Sequence, residues 1–269
     1  MKKFIWNIYL IFLQKIDSTN RYAEKNILIY PNWTVIYAIH QTNGKGVGKN
    51  YWDVEKGKNL TFSIILKSIN LPIHKGYLIN LFICNAIHKT LMTYYHNNNY
   101  CNYYNKYNNI FWIKWPNDII LMNKKIGGIL IENSVFYKKI HTSIIGIGLN
   151  VNQIQFNKKL KASSLKKFFH KDFDLKKLFY NIIDSIQKEY FLLFKNSSPN
   201  NNIRIYGEKI IRNYYIDYLY LKDRISIFSV KNTINHGLIR NITEQGHLII
   251  ELIKNKKLYI FSQKEIQFF

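Results

Sequence analysis

The sequence predicts an α+β protein that ends in a small β-barrel. Two β-branched, apolar runs, Thr34–Ile39 and Leu60–Leu66, are typical of buried strands. A long run with apolar residues at helical spacing, Phe173–Phe194, predicts an amphipathic helix. From Tyr218 onward the pattern changes to short strands separated by turn residues, which is typical of a small barrel.

The remaining elements follow from the same patterns of apolar residues, caps and turns. Asp17 to Asn20 are preferred helix-capping residues, so a helix is predicted directly after them. The predicted elements are, in order, a strand or buried lead-in at Phe4–Ile16, a helix at Arg21–Ile29, the two buried strands, a helix at Gly76–Tyr95, a β-hairpin formed by Ile110–Leu121 and Lys125–Glu132, a strand at Ser143–Asn152, helices at Phe173–Phe194 and Ile203–Tyr214, and barrel strands at Arg224–Val230, His236–Ile242, His247–Leu252 and Lys257–Phe261. His96–Asn109 is rich in Asn and Tyr and predicts an exposed, mobile connection. His88 is interpreted as a solvated or packing histidine.

Composition limits the class of protein. With 269 residues, 47% of them hydrophobic, the chain can bury a full core. The formal charge of +23, from 39 Lys and Arg against 16 Asp and Glu, suggests nucleic-acid binding at first sight. However, the basic residues are nearly all Lys and are spread along the chain together with much Asn, Ile and Tyr. All four have AT-rich codons, so genome composition explains the charge without a nucleic-acid ligand.

Compartment follows from the cysteines and the N-terminus. Cys84 and Cys101 have no metal or redox spacing, which predicts free thiols in a reducing compartment, hence a cytoplasmic protein. Met1 to Leu13 imitates a signal peptide, but no small-residue cleavage site follows, so none is expected. No apolar run is long enough to span a bilayer, and no membrane partner is predicted.

Residues 41–52, called the glycine loop below, carry the clearest functional signal. Gly44, Gly46 and Gly48 alternate with polar and cationic residues, so backbone N–H groups can approach an anion closely. The alternative is a flexible surface turn, but apolar segments bracket the loop on both sides. The loop lacks the Ser or Thr of a P-loop and the helix that follows a Rossmann fingerprint.

Three further segments place polar groups beside predicted strands and helix ends. Ser18-Thr19-Asn20 caps a helix and also offers hydroxyl and N–H groups to a small polar ligand. In the hairpin, Asp118 lies at a strand end, and Lys125 is either a charged site residue or a solvated strand end. Gly127-Gly128 in mid-strand allow close approach of a ligand or another backbone, and the alternating glycines of Ser143–Asn152 suit backbone contact with a bound ligand.

Taken together, these segments resemble the biotin protein ligase family, and the resemblance extends from Ser18 to the C-terminus. The matching motifs are Ser18-Thr19-Asn20, Gln41 with Gly44-Lys45-Gly46 and Trp52, Asn59-Leu60, Lys114-Trp115-Pro116-Asn117-Asp118, Lys125-Ile126-Gly127-Gly128-Ile129-Leu130, and Gly146-Ile147-Gly148-Leu149-Asn150. The resemblance implies a mixed β-sheet with flanking helices, similar to class II tRNA synthetase cores, at residues 1–216. It implies an SH3-like β-barrel at residues 217–269.

The resemblance also implies a reaction, substrates and site residues. Such enzymes activate biotin with ATP and Mg²⁺ to biotinyl-5′-AMP, then transfer biotin to a lysine of the carrier domain of acetyl-CoA carboxylase. Lys125 and Lys45 are the implied catalytic cations, and Asp118 is the implied Mg²⁺ ligand. The implied biotin-binding residues are Ser18, Thr19, Asn20, Gln41, Gly44, Lys45, Gly46, Val47, Lys125 and Gly128, and the implied adenylate-binding residues are Lys49, Asn50, Trp52, Asn117 and Asn150.

The chain departs from its relatives in two respects. Many relatives have several arginines in the glycine loop, whereas this chain has Val47 and Gly48 there. Some relatives carry an N-terminal DNA-binding domain, while this chain reaches Ser18 at once, so DNA binding is not expected. A homodimer is left open, and the two alternative functions are a lipoate or octanoyl ligase and a basic RNA-binding module.

Overall fold

A computed structural model describes residues 5–48, 50–97, 109–157, 160–194, 201–263 and 265–268. Its centre is a seven-stranded mixed sheet with the strand order β1-β2-β5-β9-β8-β7-β6. The first two strands run parallel, and every other neighbouring pair runs antiparallel. The strands are β1 (Tyr9–Ile16), β2 (Thr34–Gln41), β5 (Leu60–Pro72), β6 (Phe111–Lys114), β7 (Asp118–Leu121), β8 (Lys124–Phe136) and β9 (Lys139–Leu149), and a separate two-stranded ribbon pairs β3 (Gly44–Lys45) with β4 (Tyr51–Trp52). The mixed sheet expected from the resemblance is confirmed.

Helices cover both faces of this sheet unequally. The helices are α1 (Thr19–Lys25), α2 (Tyr77–Asn97), α3 (Leu165–Phe169), α4 (Leu175–Phe194) and α5 (Asn201–Asp217), with a 3₁₀ turn at Ile73–Lys75. The long helices α2 and α4 pack on one face through the main apolar cluster, where Phe62 and Phe179 meet edge to face at 5.1 Å. Each such fully buried side chain contributes about 1.5–3 kcal/mol to stability. The short helix α1 packs on the opposite face, where Ala23 contacts Ile36, Ile65 and Ile144, and a helix of seven residues leaves room on that face for a site.

The C-terminal segment forms a five-stranded antiparallel sheet, as expected for an SH3-like unit. Its strands are β10 (Ile225–Val230), β11 (Thr233–Ile242), β12 (Leu248–Leu252), β13 (Leu258–Phe261) and β14 (Ile266–Phe268), in the order β13-β12-β11-β10-β14. The sequence predicted the first four strands and missed β14. Arg212 on α5 donates hydrogen bonds to the carbonyls of Thr243 (2.7 Å) and Ile242 (3.0 Å), which ties this sheet to the helices. The predicted boundary at residue 217 coincides with the end of α5, and the division into two domains stays a prediction.

Four expectations about individual elements need correction. Phe4–Ile16 begins as a strand only at Tyr9 and forms a sheet edge, with Tyr9 and Phe12 more than half exposed. The helix predicted to end at Ile29 ends at Lys25. Ile110–Leu121 is two strands, because the chain turns at residues 115–117, and together with β8 they form a three-stranded meander. Of the predicted mobile connection His96–Asn109, His96 and Asn97 end α2, and residues 98–108 lie outside the described residues.

His88 is a packing histidine, and the solvated alternative is wrong. Its Nδ1 lies 2.9 Å from the Tyr214 hydroxyl, and its Nε2 lies 2.9 Å from the Phe111 carbonyl. Burial lowers the pKa of His88 to about 4 despite the hydrogen bond to Phe111, because a charged imidazole loses its hydration there. The ring therefore joins α2, β6 and α5 as a neutral group.

Among the described residues, none of the helices is long and apolar enough to cross a membrane.

Candidate active site

A cleft of about 270 Å³ opens beside α1, on the same face of the sheet as this helix. Its volume lies near the lower end of the range usual for small-molecule sites, roughly 300–1,000 Å³. The walls come from four parts of the chain: the start of α1, the glycine loop, the meander β6-β7-β8, and the C-terminal residues Gln263, Ile266 and Phe268. Both sheets therefore contribute to one site.

Strand register explains why small and polar residues form the floor of this cleft. One row across the sheet joins Lys114 on β6, Asp118 on β7, Gly128 on β8, Gly148 on β9 and Thr61 on β5. All five line the cleft. Because directly paired residues point to the same face of a sheet, the row places two charged groups, a hydroxyl and two glycines side by side. We call this row, with its neighbours Leu130, Glu132, Gly146 and Ser63 on the same strands, the floor.

A bulge brings Lys125 to the same face. The pairing of β7 with β8 shifts between Ile119 and Ile120, so that Lys125 lies opposite Ile120 instead of Leu121. Side chains alternate along a strand, so Ile120 and Asp118 share a face, and the extra residue moves Lys125 onto that face. Lys125 Nζ then lies 2.6 Å from Asp118 Oδ1 and 5.7 Å from the centre of the Trp52 ring. A positive group that is paired with Asp118 thus lines the cleft.

The start of α1 is held by hydrogen bonds within the chain. Gln41 Oε1 accepts from the Thr19 backbone N–H (2.9 Å) and from its hydroxyl (3.2 Å). Ser63 Oγ lies 2.7 Å from Thr19 Oγ1 and 2.6 Å from Asn20 Oδ1. The Ser18 hydroxyl caps the helix by accepting from the Arg21 N–H, which confirms the capping interpretation. Polar atoms that line the cleft here are pre-oriented by their neighbours.

Glycines of β9 make room for side chains of the chain itself. A Cβ built on Gly146 would lie 2.3 Å from Asn20 Oδ1, and one built on Gly148 would lie 2.3 Å from Trp52 Cε2. The sequence predicted that these glycines leave space for a bound ligand, but the Asn20 and Trp52 side chains occupy the space beside Gly146 and Gly148. Trp52 Nε1 is buried and finds no hydrogen-bond acceptor among the described residues, which leaves one donor available at the cleft wall.

The glycine loop covers one side of the cleft. Gly44 pairs with Trp52 and Lys45 with Tyr51, so these residues form a narrow two-stranded ribbon. Lys45 lines the cleft, and its Nζ lies 3.2 Å from Glu132 Oε1. Gly48 has a φ of +68°, a conformation that favours glycine.

The structure brings most of the predicted site residues together. Those that line the cleft are Ser18, Thr19, Asn20, Gln41, Lys45, Gly46, Val47, Asn50, Trp52, Asn117, Asp118, Lys125 and Gly128. Gly44 instead lies within the ribbon and outside the cleft lining, and a Cβ there would meet the Gln41 side chain and the Trp52 carbonyl. Asn150 is buried and does not line the cleft, and its amide donates to the Ser163 carbonyl at 3.1 Å. Lys49 lies outside the described residues.

Sequence reasoning gave no role to three groups at this site. Lys114 lies opposite Asp118 with its ammonium 5.3 Å from the Phe268 ring centre, and burial lowers its pKa. Phe268 belongs to β14, and a three-residue strand carries little periodic signal. Glu132 joins Lys45 to Asn20, whose Nδ2 donates to Glu132 Oε2 at 2.7 Å. The alternation of β8 could have placed Glu132 on the same face as Leu130, had the strand been followed further.

Comparison with known proteins identifies the family. The model of the biotin/lipoate A/B protein ligase family matches residues 12–150, which is more than half of the chain. The bifunctional ligase/repressor BirA of Bacillus spizizenii is 29% identical over 195 residues, covering 71% of this chain and 56% of that protein, and BirA of Bacillus subtilis is 29% identical with the same coverage. The chain thus spans about half the length of these curated relatives.

Solved structures agree on the fold. Biotin protein ligase from Aquifex aeolicus in complex with biotin and ATP superposes with a TM-score of 0.72 at 22% identity, over 96% of this chain and 97% of that one. Biotin protein ligase from Leishmania major in complex with biotinyl-5-AMP superposes with a TM-score of 0.62 at 19% identity, over 94% and 98% of the two chains. With the family model matching more than half of its residues and the mixed sheet in place, this chain belongs to the biotin/lipoate A/B protein ligase family.

Proposed function

We propose that this protein is an ATP-dependent biotin protein ligase that works through a biotinyl-5′-AMP intermediate. The observation that carries the proposal is the convergence of Lys45, Lys114 and Lys125 on one cleft, beside an aromatic wall formed by Trp52. Joining a carboxylate to a phosphate brings two anions together, so the reaction needs fixed positive charge. It also needs an enclosure that excludes water, because a mixed anhydride hydrolyses readily.

In the first step, the biotin carboxylate oxygen attacks the α-phosphorus of ATP, and pyrophosphate leaves with the electrons of the broken P–O bond. We assign Lys125 to the oxygens of the carboxylate and α-phosphate, because its ammonium is fixed on the floor by Asp118. Lys45 approaches the same anions from the loop side. We assign the hydroxyl and amide groups of Ser18, Thr19 and Gln41 to the polar ring of biotin, whose hydrogen-bonding groups need oriented partners.

In the second step, a lysine ε-amine of a carrier protein attacks the acyl carbon, AMP leaves, and the new amide loses a proton. We propose the carrier domain of acetyl-CoA carboxylase as this protein partner and a cytoplasmic location for the reaction. Trp52, Asn50 and Asn117 are proposed to hold the adenylate, together with Lys49, whose structure is not described. The glycine loop at one side of the cleft is proposed to help keep the anhydride dry until the amine arrives.

The fit of magnesium to the cleft can be tested from its donors. The part of the chain that the structure describes holds no cluster of three or more His, Cys, Asp or Glu residues that could bind a metal. Asp118 offers one carboxylate, which is already 2.6 Å from Lys125 Nζ. Mg²⁺ is usually held by one or two carboxylates plus substrate phosphates, so the donors fit an ion that enters with ATP. Bound there by Asp118, Mg²⁺ would neutralise charge on the phosphates.

Ligand-dependent stability tests this assignment against lipoyl chemistry, which the family also includes. A ligand that binds only the folded state raises the melting temperature with its concentration. Relative to the protein with ATP and Mg²⁺ alone, we expect added biotin to raise the melting temperature and added lipoate or octanoate to leave it unchanged. A shift with lipoate alone contradicts the proposal and favours a lipoate ligase.

A further inference from the structure

We propose that Glu132 is a positioning residue that tethers the glycine loop to the floor through Lys45. The inference rests on the proposed function only for what the tether does to catalysis. The tether itself is a property of the ligand-free protein. It links two residues that the sequence predicted as biotin ligands, Asn20 and Lys45, through a third that has no assigned role.

The tether is anchored at Asn20, which is buried, with 3% of its surface exposed. Its Oδ1 accepts from the Ser63 hydroxyl at 2.6 Å, and its Nδ2 donates to Glu132 Oε2 at 2.7 Å. The missing side chain of Gly146 makes room for its carboxamide. With both ends of the amide engaged, Asn20 orients Glu132 more readily than it binds a ligand.

Glu132 uses its two carboxylate oxygens for different partners. Oε2 faces the buried Asn20, whereas Oε1 lies 3.2 Å from Lys45 Nζ. Glu132 shares a face with Leu130, which is two residues away on β8 and lines the cleft. A bond from Lys45 to this carboxylate therefore draws the loop toward the edge of the floor.

Other contacts hold the ends of the loop but not its middle. Backbone bonds run from Thr42 N to the Ile16 carbonyl (2.9 Å) and from Asn43 N to the Asp17 carbonyl (2.8 Å). At the far end, Trp52 packs against Gly148. Between them, Gly46 N donates to the Asn50 carbonyl within the loop itself. Among described residues 44–48 and 50, the Lys45 ion pair is the side-chain hydrogen bond that reaches the floor.

The strength of the tether follows from its exposure. The side chains of Lys45 and Glu132 are 46% and 35% exposed, and exposed ion pairs contribute about 0.2–1 kcal/mol. Such a pair holds the loop loosely enough to open for a substrate. Because a lysine ammonium has three donors, Lys45 can keep Glu132 while it contacts a ligand anion. Loss of the pair should therefore weaken the hold on ligand without removing the charge that acts in the reaction.

Glu132→Gln keeps the hydrogen bond to Asn20 and removes the ion pair with Lys45. The amide oxygen still accepts from Asn20, while the amide nitrogen replaces the oxygen that faces Lys45. Glu24→Gln is the matched control, because it makes the same change at an exposed position of α1. Lys45→Ala and the double variant complete a thermodynamic cycle.

The first measurement does not depend on enzyme activity. It is the rate at which thermolysin cleaves the ligand-free protein at Val47 in limited proteolysis. We expect Glu132→Gln to be cut about two- to five-fold faster than wild type, as expected for loss of an exposed pair. Glu24→Gln should match wild type, and Glu132→Gln should have no further effect in the Lys45→Ala background. Equal rates for the two Gln variants, or an undiminished effect in that background, overturn the tether.

The second readout is steady-state kinetics. We expect Glu132→Gln to raise the KM for biotin about two- to five-fold with kcat unchanged. A fall in kcat at constant KM contradicts a positioning role. If wild type forms no biotinyl-AMP, the proposed function fails, while the proteolysis rates still decide whether the tether exists.

Discussion

The floor and the glycine loop bound the same cleft but are held in different ways. On the floor, side chains are placed by strand register and by buried partners, such as Ser63 and Asn20 at 2.6 Å. In the loop, the side chain of Lys45 is nearly half exposed, and its position is set by one ion pair, with Glu132. The difference suggests a division of work: the floor orients the reacting groups, and the loop retains what has bound.

The largest expected effect is on the floor, at Lys125. Lys125→Ala removes the cation that Asp118 orients, and we expect adenylate formation to slow by about 10²–10³-fold, the size found when one preorganised donor is lost. Because the Lys125 side chain is partly exposed, the melting temperature should change little. Lys124→Ala, at an exposed neighbouring position, is the control. Formation of biotinyl-AMP by Lys125→Ala at the wild-type rate would show that the floor does not supply the essential charge.

The free energy of unfolding should depend on pH through His88, which is buried in the main apolar core and not in the loop. The folded pKa is about 4 and the usual value is 6.5, so the unfolded chain binds a proton more readily than the folded one. The stability that neutral, buried His88 contributes is fully present above pH 6.5 and is lost as the pH falls toward 4. The loss amounts to at most about 3 kcal/mol in the free energy of unfolding. Urea unfolding at pH 7 and pH 4.5 should show this loss. His88→Leu should lessen the difference, and the exposed His74→Leu should not. The same pH dependence in His88→Leu as in wild type would remove His88 as its cause.

A matched pair of glycine substitutions compares the floor with the loop directly. A Cβ at Gly148 would overlap the Trp52 ring, so Gly148→Ala should displace the indole and destabilise the protein by about 1–3 kcal/mol. A Cβ at Gly48 meets none of the described residues within 4 Å, so the φ of +68° is what opposes Gly48→Ala, at about 1 kcal/mol. Thermal unfolding with and without biotin measures both. We expect Gly148→Ala to lose more stability and more biotin binding than Gly48→Ala. A greater loss of biotin binding in Gly48→Ala would contradict the larger role given to the floor.

The smallest expected effect on stability is at Lys45. Lys45→Ala removes an exposed ion pair and should change the free energy of unfolding by less than about 1 kcal/mol. It should nevertheless speed the release of biotinyl-AMP, because the loop loses both its cation and its tether. Release is followed by filtration of the labelled complex over time. Unchanged release would mean that the loop does not retain the intermediate.

Much of the fold could be predicted from the sequence because its signals are local. The β-branched runs at β2 and β5 and the helical spacing of α4 each lie within one element. Capping by Ser18 likewise depends on neighbours in sequence. The strand β14 was missed because three residues are too few to show a period.

The geometry of the site depends on pairings between distant residues, and the sequence shows these poorly. The motifs named Lys125 and Asp118, but only the bulge beside Ile120 explains how they share a face. The glycines of β9 were interpreted as space for a ligand, whereas Asn20 and Trp52 occupy much of that space. Asn150, next to those glycines, turned out to be buried with its amide bonded to Ser163.

The cleft is proposed to make a biotinyl adenylate and to retain it. Incubation of the purified protein with biotin, Mg²⁺ and ATP labelled at the α-phosphate, without carrier protein, tests this directly. We expect the label to remain with the protein through rapid gel filtration as biotinyl-5′-AMP and to leave as AMP when carrier is added. No labelled adenylate with biotin, or the same label with lipoate in its place, would contradict the account.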